Sequence, residues 1–419
     1  MFTRLKKIYY EFPRLFWIVV GVRFVDGIGG TLLFPFFALY ITQKFGVGMT
    51  QAGILLGMSS LFGLVGSMVG GALTDKFGRK QLILFGLVFS AVSTLGFGLV
   101  NDFKILYPLV IVVGLLSSVA HPAHEAMIAD ILPENKRQEG FGILRVVANY
   151  AWIIGPTIGG FLANINFFYL FVIDSIISCI VAVIINRTIP ETKPEPHAHE
   201  VSEPFLKTVT GYRFVLLDTA FMSFIVANIL MLIVYQQMYS SLSVYLRDNH
   251  GINPQGYGLL MTTSAVTVVL FQFWLTRQIK HRPPFLLMAF GTIFYAIGFV
   301  LFGIVTTFVL FALNIVIITV GEMIVVPTSQ ALVAGFAPED KRGRYMAVAG
   351  LSWAIPSTIG PGAAGYILDH YNPNLLWYLG GALCALSVLA YYLLHLRLGA
   401  RREFAPAEED ALSMAATSD

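Results

Sequence analysis

Charge is what this sequence has least of. Only 12% of its 419 residues are Asp, Glu, Lys or Arg, against about 25% in a soluble globular domain. A chain that is also 56% hydrophobic cannot cover a water-facing surface, which excludes a soluble enzyme. Cysteine is nearly absent. Cys179 and Cys384 both lie in apolar runs, so there is no disulfide framework and no Cys-based metal site. Ten-residue strands of alternating polarity are missing as well, which argues against a membrane β-barrel. Neither a P-loop nor a soluble catalytic domain is present. Work done by this protein must draw on an ion gradient or on the gradient of its own substrate.

Long apolar runs are what the sequence has instead. An α-helix needs about 20 apolar residues to span a bilayer, and breaks rich in charge or turn residues leave twelve such runs. They cover 15–43, 50–74, 81–100, 104–131, 141–163, 168–189, 214–246, 255–279, 284–304, 308–334, 343–368 and 374–397. The basic start, MFTRLKKIYYEFPRLFW, leads into a run too long for the core of a signal peptide, and no small-residue cleavage site follows; the first span is therefore expected to be retained. Residues 190–213 form a Pro-, Glu- and His-containing linker, and residues 401–419 a polar, Ala-rich tail expected to be disordered.

Basic residues fix the expected topology. With the N-terminus inside, the cytoplasmic segments hold 22 of the 27 Lys and Arg residues, and the external loops only Lys44, Lys104 and Arg247. This asymmetry puts both termini in the cytoplasm. The two halves are also related. At a constant offset of 205 residues, 122–137 superimposes on 327–342, pairing Pro122 with Pro327, Pro133 with Pro338, Lys136 with Lys341 and Arg137 with Arg342. The same offset pairs Gly155, Pro156 and Gly160 with Gly360, Pro361 and Gly365. The expected fold is thus an all-α membrane protein of two parallel six-helix repeats, 1–189 and 214–400. Such repeats enclose a central site and alternate its access by rocking, which points to a transporter.

The first intracellular loop, Gly71-Ala-Leu-Thr-Asp75-Lys76-Phe-Gly78-Arg79-Lys80, resembles the G-xxx-D-[RK]-x-G-R-[RK] signature of the major facilitator superfamily. Gly78 permits a tight turn, Gly70 and Gly71 close helix packing, and Asp75 can face a helix N-terminus or an Arg. The resemblance implies that Asp75, Arg79 and Asp130 form a cytoplasmic latch between the halves that breaks during transport. Gly155-Pro156-Thr-Ile-Gly159-Gly160 is similar to the GPxxGG motif of the superfamily's drug:proton antiporter branch, although small residues in a membrane helix also serve plain close packing. Gly321-Glu322-Met-Ile-Val-Val-Pro327 resembles the lactococcal multidrug exporter subgroup, where the matching Glu helps bind cationic drugs. Two departures stand out. Val110 occupies the place where that branch carries an Arg in helix four, and Pro190-Glu191-Thr192-Lys193 is only loosely like the sugar-porter ending of helix six.

A charge near mid-bilayer costs roughly 2.5–3.5 kcal/mol and marks a functional candidate. Glu322 falls close to the centre of helix ten. A carboxyl there can hold a proton or a cationic substrate but not both, a simple basis for antiport; the alternative is a hydrogen-bonded packing Glu. Asp26 in helix one has Arg23 at i−3, so an ion pair within the helix competes with a functional reading. His121 and Glu125 stand at i,i+4 and can serve as proton helpers, with His124 nearby. Arg145 in helix five is expected to partner an acid and is a candidate substitute for the missing helix-four Arg. Asp174, Asp218 and Asp369 fall near span ends and are set aside. Tyr235, Gln236, Gln237 and Tyr239 can line a cavity or simply pack.

The sequence thus reads as a proton-coupled exporter of lipophilic, cationic compounds in the plasma membrane. Its expected partners are a small-molecule substrate, protons and membrane lipid. No cofactor, metal or nucleic acid is expected, and the chain is expected to act as a monomer. Transport of a specific metabolite such as a sugar, lipid or peptide, or a non-transporting membrane sensor, are the alternatives.

Overall fold

The computed structural model describes residues 9–193, 212–279, 281–338 and 341–399; most of the expected linker and the whole of the 401–419 tail lie outside them. Every regular element among the described residues is helical. In chain order they are α1 (Arg14–Leu33), α2 (Phe37–Phe45), α3 (Met49–Phe77), α4 (Arg79–Leu99), α5 (Phe103–Ser118), α6 (His121–Ile131), α7 (Glu134–Ile165), α8 (Phe168–Thr188), α9 (Thr219–Tyr235), α10 (Gln237–Ser240), α11 (Leu242–His250), α12 (Pro254–Ile279), α13 (Pro284–Phe302), α14 (Phe308–Phe336), α15 (Arg342–His370) and α16 (Asn374–Leu398). Among the described residues, eleven helical segments are long and apolar enough to cross a bilayer. The expected eleventh span, 343–368, is the 29-residue α15, whose Gly, Pro and Ser content leaves it short of that apolarity.

Three expected spans are broken, each for a local reason. A 3-10 turn at Phe34–Phe36, containing Pro35, separates α1 from α2, because proline lacks the N–H that would continue the helix. The fourth span divides between α5 and α6, with Pro122 in the first turn of α6, a position proline tolerates. The seventh divides into α9, α10 and α11. There Gln237 holds the break together: its amide donates to the Ile233 carbonyl at 2.8 Å, and its Oε1 accepts from Ser240 at 3.0 Å and Ser241 at 2.8 Å. Elsewhere helices start on side-chain caps, Asp102 accepting from the Lys104 N–H and Asp218 from the Phe221 N–H, which satisfies orphan donors of the first turn.

The described residues fall into two compact units, one within Met1–Ala198 and Leu246–Ala265, the other within His199–Tyr245 and Val266–Asp419. In the first, α1 packs on α7 and α8, α3 on α5, and α4 on α8. Its core includes Phe16, Ile83, Met127, Ile128, Val181 and Ile185. In the second, α9 packs on α15 and α16, and α13 on α14 and α16. The pairings α1 with α7, α1 with α8 and α4 with α8 recur as α9 with α15, α9 with α16 and α13 with α16, which is the sequence duplication expressed as packing.

Glycines set the closest approaches. A Cβ on Gly66 or Gly70 of α3 would strike the backbone carbonyls of Leu115 and Val119, so α3 and the fourth span touch backbone to backbone. Gly71 does not share this role, since nothing lies within 4 Å of its Cβ direction; that direction faces open space.

Candidate substrate and gating sites

In the second unit, Glu322 of α14 is half-buried and neighbours three other elements. The hydroxyls of Tyr235, Tyr239 and Tyr295 are its electrostatic neighbours. Tyr235 ends α9, Tyr239 lies in α10 and Tyr295 in α13, so the break in the seventh span is what turns two phenols onto one carboxyl. The Tyr235 and Tyr239 hydroxyls are 3.0 Å apart. The Tyr235 ring stacks on Tyr295 at 5.5 Å and meets Trp353 of α15 edge-on at 6.3 Å. Gln236 donates to Ser357 at 3.2 Å. Gln237 instead turns to its own helix break. The Glu322 carboxyl, the half-buried Tyr239 phenol and the half-exposed Trp353 indole make a surface suited to a flat cation, by charge and by ring face, with Tyr235 and Tyr295 buried behind it.

In the first unit a chain of polar groups runs along α1. Arg23 does not close on Asp26 within the helix as its i−3 spacing suggests; its guanidinium reaches Glu125 of α6 at 3.7 Å. Asp26 is half-buried with Arg23 as electrostatic neighbour. His124 lies within electrostatic reach of both Arg23 and His121, whereas His121 itself is exposed. Arg145 of α7 is exposed too.

Asp174 is a correction to the sequence reading. It was set aside as lying near a span end, yet it is only 7% exposed. Its Oδ2 accepts from the Thr94 hydroxyl at 3.0 Å, and its Oδ1 occupies the space a side chain at Gly29 would need. Asp26, one turn earlier on α1, is its electrostatic neighbour. The available signal was the polar stripe Asp174, Ser175 and Ser178 in an otherwise apolar helix, all three buried.

At the turn between α3 and α4 the residues of the expected latch come together. Arg79 Nε lies 2.9 Å from Asp130 Oδ2, and its Nη1 lies 3.5 Å from Asp75 Oδ1. Asp75 remains largely exposed and does not take the helix N-terminus; Glu191 does. Its carboxylate accepts the backbone N–H groups of Arg79 at 2.8 Å and Lys80 at 3.1 Å, and those of Thr192 and Lys193 at 2.9 and 3.0 Å. Burial pushes this carboxyl up, but the four backbone donors outweigh it and hold Glu191 below its ordinary value. The Lys80 ammonium donates to the Asn186 carbonyl at 2.8 Å. Gly78 adopts φ +96°, open to glycine at little cost.

The Gly-Pro helix, α7, uses its small residues as spacing suggested. Side chains at Gly155 and Gly159 would collide with Thr31 and Leu32 of α1. A Cβ on Gly160 would lie 2.8 Å from the Pro254 carbonyl and 3.1 Å from Gly258 Cα in α12. Pro156 presents its carbonyl to Gly258, and Thr157 and Thr262 are hydrogen-bonded at 2.5 Å. Among the described residues, no group of three His, Cys, Asp or Glu side chains is placed to hold a metal.

Membrane-length helices, an internal duplication and polar groups gathered inside the helical units define a multi-pass membrane transporter. The family model of the Major Facilitator Superfamily matches residues 19–361 and 238–417, and the chain belongs to that superfamily. It is similar to a Na(+), Li(+), K(+)/H(+) antiporter of Planococcus maritimus, 28% identical over 79% of this chain and 84% of the relative. It is similar also to the quinolone resistance protein NorA of Staphylococcus aureus, 22% identical over 92% of this chain and 96% of the relative. Among solved structures, a POT family transporter in complex with 5-aminolevulinic acid shares the fold, with TM-score 0.78 and 16% identity over 93% of this chain and 97% of that one.

Proposed function

We propose that this transporter exports lipophilic cations in exchange for protons, and that Glu322 is where the two compete. The observation that carries this reading is the setting of the Glu322 carboxyl among Tyr235, Tyr239, Tyr295 and Trp353, where charge and aromatic faces serve the same ligand. The similarity to an antiporter and to a quinolone resistance protein supports it. Asp26, with His121 and Glu125 behind it, is the second protonatable group, and Arg145 the basic one. Gly71, Asp75, Gly78, Arg79, Lys80 and Asp130 belong to the cytoplasmic gate. Gly155, Pro156, Gly159 and Gly160 give α7 the close packing of an antiporter helix. The two six-helix bundles, 1–189 and 214–400, rock about the site in the plasma membrane with both termini in the cytoplasm.

The test is reconstitution in liposomes that enclose a pH dye, with an imposed proton gradient and added ethidium. Ethidium-dependent proton flux that disappears in Glu322→Gln is the expected result. Flux that persists in the mutant, with unchanged pH dependence, overturns the assignment. A second reading is exchange of alkali cations for protons, favoured by the Planococcus maritimus relative and by the adjacent Asp26 and Asp174. The same liposomes given NaCl or KCl in place of ethidium distinguish the two.

A further inference from the structure

The tetrapeptide after the sixth span, Pro190-Glu191-Thr192-Lys193, does more at the α3–α4 turn than follow it in space. α4 begins at Arg79, and the first N–H groups of a helix have no partner within it. Glu191 supplies one carboxylate oxygen to each of the first two, and places its negative charge at the positive end of the helix dipole. Two residues on, the Lys193 ammonium donates to the Lys76 carbonyl at 3.0 Å, in the last turn of α3, where carbonyls lack partners and a cation is favoured. The tetrapeptide therefore complements both helix ends that meet at this turn.

Gly78 has a second reason to be glycine here. A Cβ at that position would lie 2.5 Å from Glu191 Oε2, so the turn makes room for the carboxylate as well as bending the chain. Arg79 is the residue on which these contacts converge. Its N–H is held by Glu191, while its Nε is aimed at Asp130 Oδ2. That same oxygen accepts from the Thr192 hydroxyl at 3.3 Å. The tetrapeptide thus touches both partners of the Arg79–Asp130 pair, one through backbone and one through side chain.

We propose that Glu191 is a positioning residue, which fixes the backbone at Arg79 so that the guanidinium meets Asp130 and thereby sets how readily the cytoplasmic gate engages. This rests on the reading of Arg79 and Asp130 as gate residues. The structural part can be tested without any cargo.

The experiment is a double-mutant cycle on the purified full chain, using Glu191→Gln, Arg79→Lys and the double variant. Hydrogen exchange is followed in the peptides that hold Arg79–Leu82 and Met127–Ile131, together with unfolding midpoints in detergent. Glu191→Gln is expected to speed exchange at the start of α4 about tenfold and to loosen the Asp130 peptide as Arg79→Lys does. The double variant should loosen that peptide no further than Arg79→Lys alone. Unchanged exchange in Glu191→Gln, or effects of the two substitutions that simply add, overturns the proposal. In ethidium-loaded liposomes, Glu191→Gln should lower maximal flux several-fold and leave half-saturation within twofold. If the wild type moves no ethidium, the cargo reading fails while the exchange cycle still decides the role of Glu191.

Discussion

Arg79 meets Asp130 across 2.9 Å, with only 11% and 19% of their side chains exposed, and this pair joins the start of α4 to the end of α6. Removing one partner of a pair so far from water leaves an uncompensated charge. Full burial would make that cost 3–5 kcal/mol; the residual wetting lowers it, and we expect Arg79→Ala to destabilise the protein by about 2 kcal/mol. Asp130→Asn should cost less, because the amide oxygen still accepts from Nε. Unfolding midpoints in one detergent, compared across wild type and both variants, check the order.

Two glycines of the recognised motifs should respond oppositely to a methyl group. At Gly160 the new Cβ meets the Pro254 carbonyl and Gly258 Cα, so Gly160→Ala is expected to destabilise by about 1–3 kcal/mol through overpacking. At Gly71 the space is open, and alanine is the better helix former by roughly 1 kcal/mol. Gly71→Ala should therefore be neutral or stabilising. A midpoint that falls equally in both variants would show that the two positions are not distinguished by packing.

The Glu191 clasp has a pH signature. The carboxyl is held below its ordinary value of 4.5 by the N–H groups of Arg79, Lys80, Thr192 and Lys193. The charged groups around it are Arg79, Lys80 and Lys193, with Asp75 and Asp130 beyond Arg79. A lowered value means the stabilisation is fully present above the unfolded-state value and is lost as pH falls through the folded one. The midpoint difference between wild type and Glu191→Gln should be constant from about pH 6 to 8 and shrink below about pH 4.5. A difference that grows on acidification would contradict this.

Trp353 offers the test of the aromatic surface around Glu322. Its side chain is half-exposed beside Tyr235, so its removal should cost cargo contact more than packing. A cation–π contact is worth about 0.5–2 kcal/mol. Trp353→Ala is accordingly expected to raise the ethidium concentration for half-maximal flux about three- to tenfold, with Trp353→Phe close to wild type. Equal loss in both variants would assign Trp353 to packing alone.

Much of this was legible in the sequence, because apolar length and small-residue spacing are local properties. The helices followed from uninterrupted apolar runs. The turn at Gly78 and the stop after the fourth span were each legible as local features; that Arg79 would reach Asp130, 51 residues away, came from the family signature and not from local pattern. What was not legible depends on which way a helix faces. Asp174 looks like an end-of-span acid until α8 is rotated onto α1 and α4. Arg23 has a sequence neighbour in Asp26 but a spatial one in Glu125. Tyr295 came to the Glu322 cluster from a helix that carries no motif, and Trp353 from two turns before the Gly360-Pro361 repeat. Glu191 was visible, but only against another branch's pattern, and its partners lie more than a hundred residues upstream.

The backbone contacts of Gly66 and Gly70 with Leu115 and Val119 have a mechanical meaning. Where carbonyls rather than flexible side chains meet glycine, there is no compliant layer to absorb sliding. α3 and α5 therefore behave as one lever, whose tip at the α3–α4 turn carries Asp75 on one arm. Any force applied to α3 is delivered to the Ser118–His121 joint rather than dissipated on the way. The proposed gating role of Arg79 and Asp130 then requires rotation at that joint or displacement of α4, not a parting of the two arms of the lever.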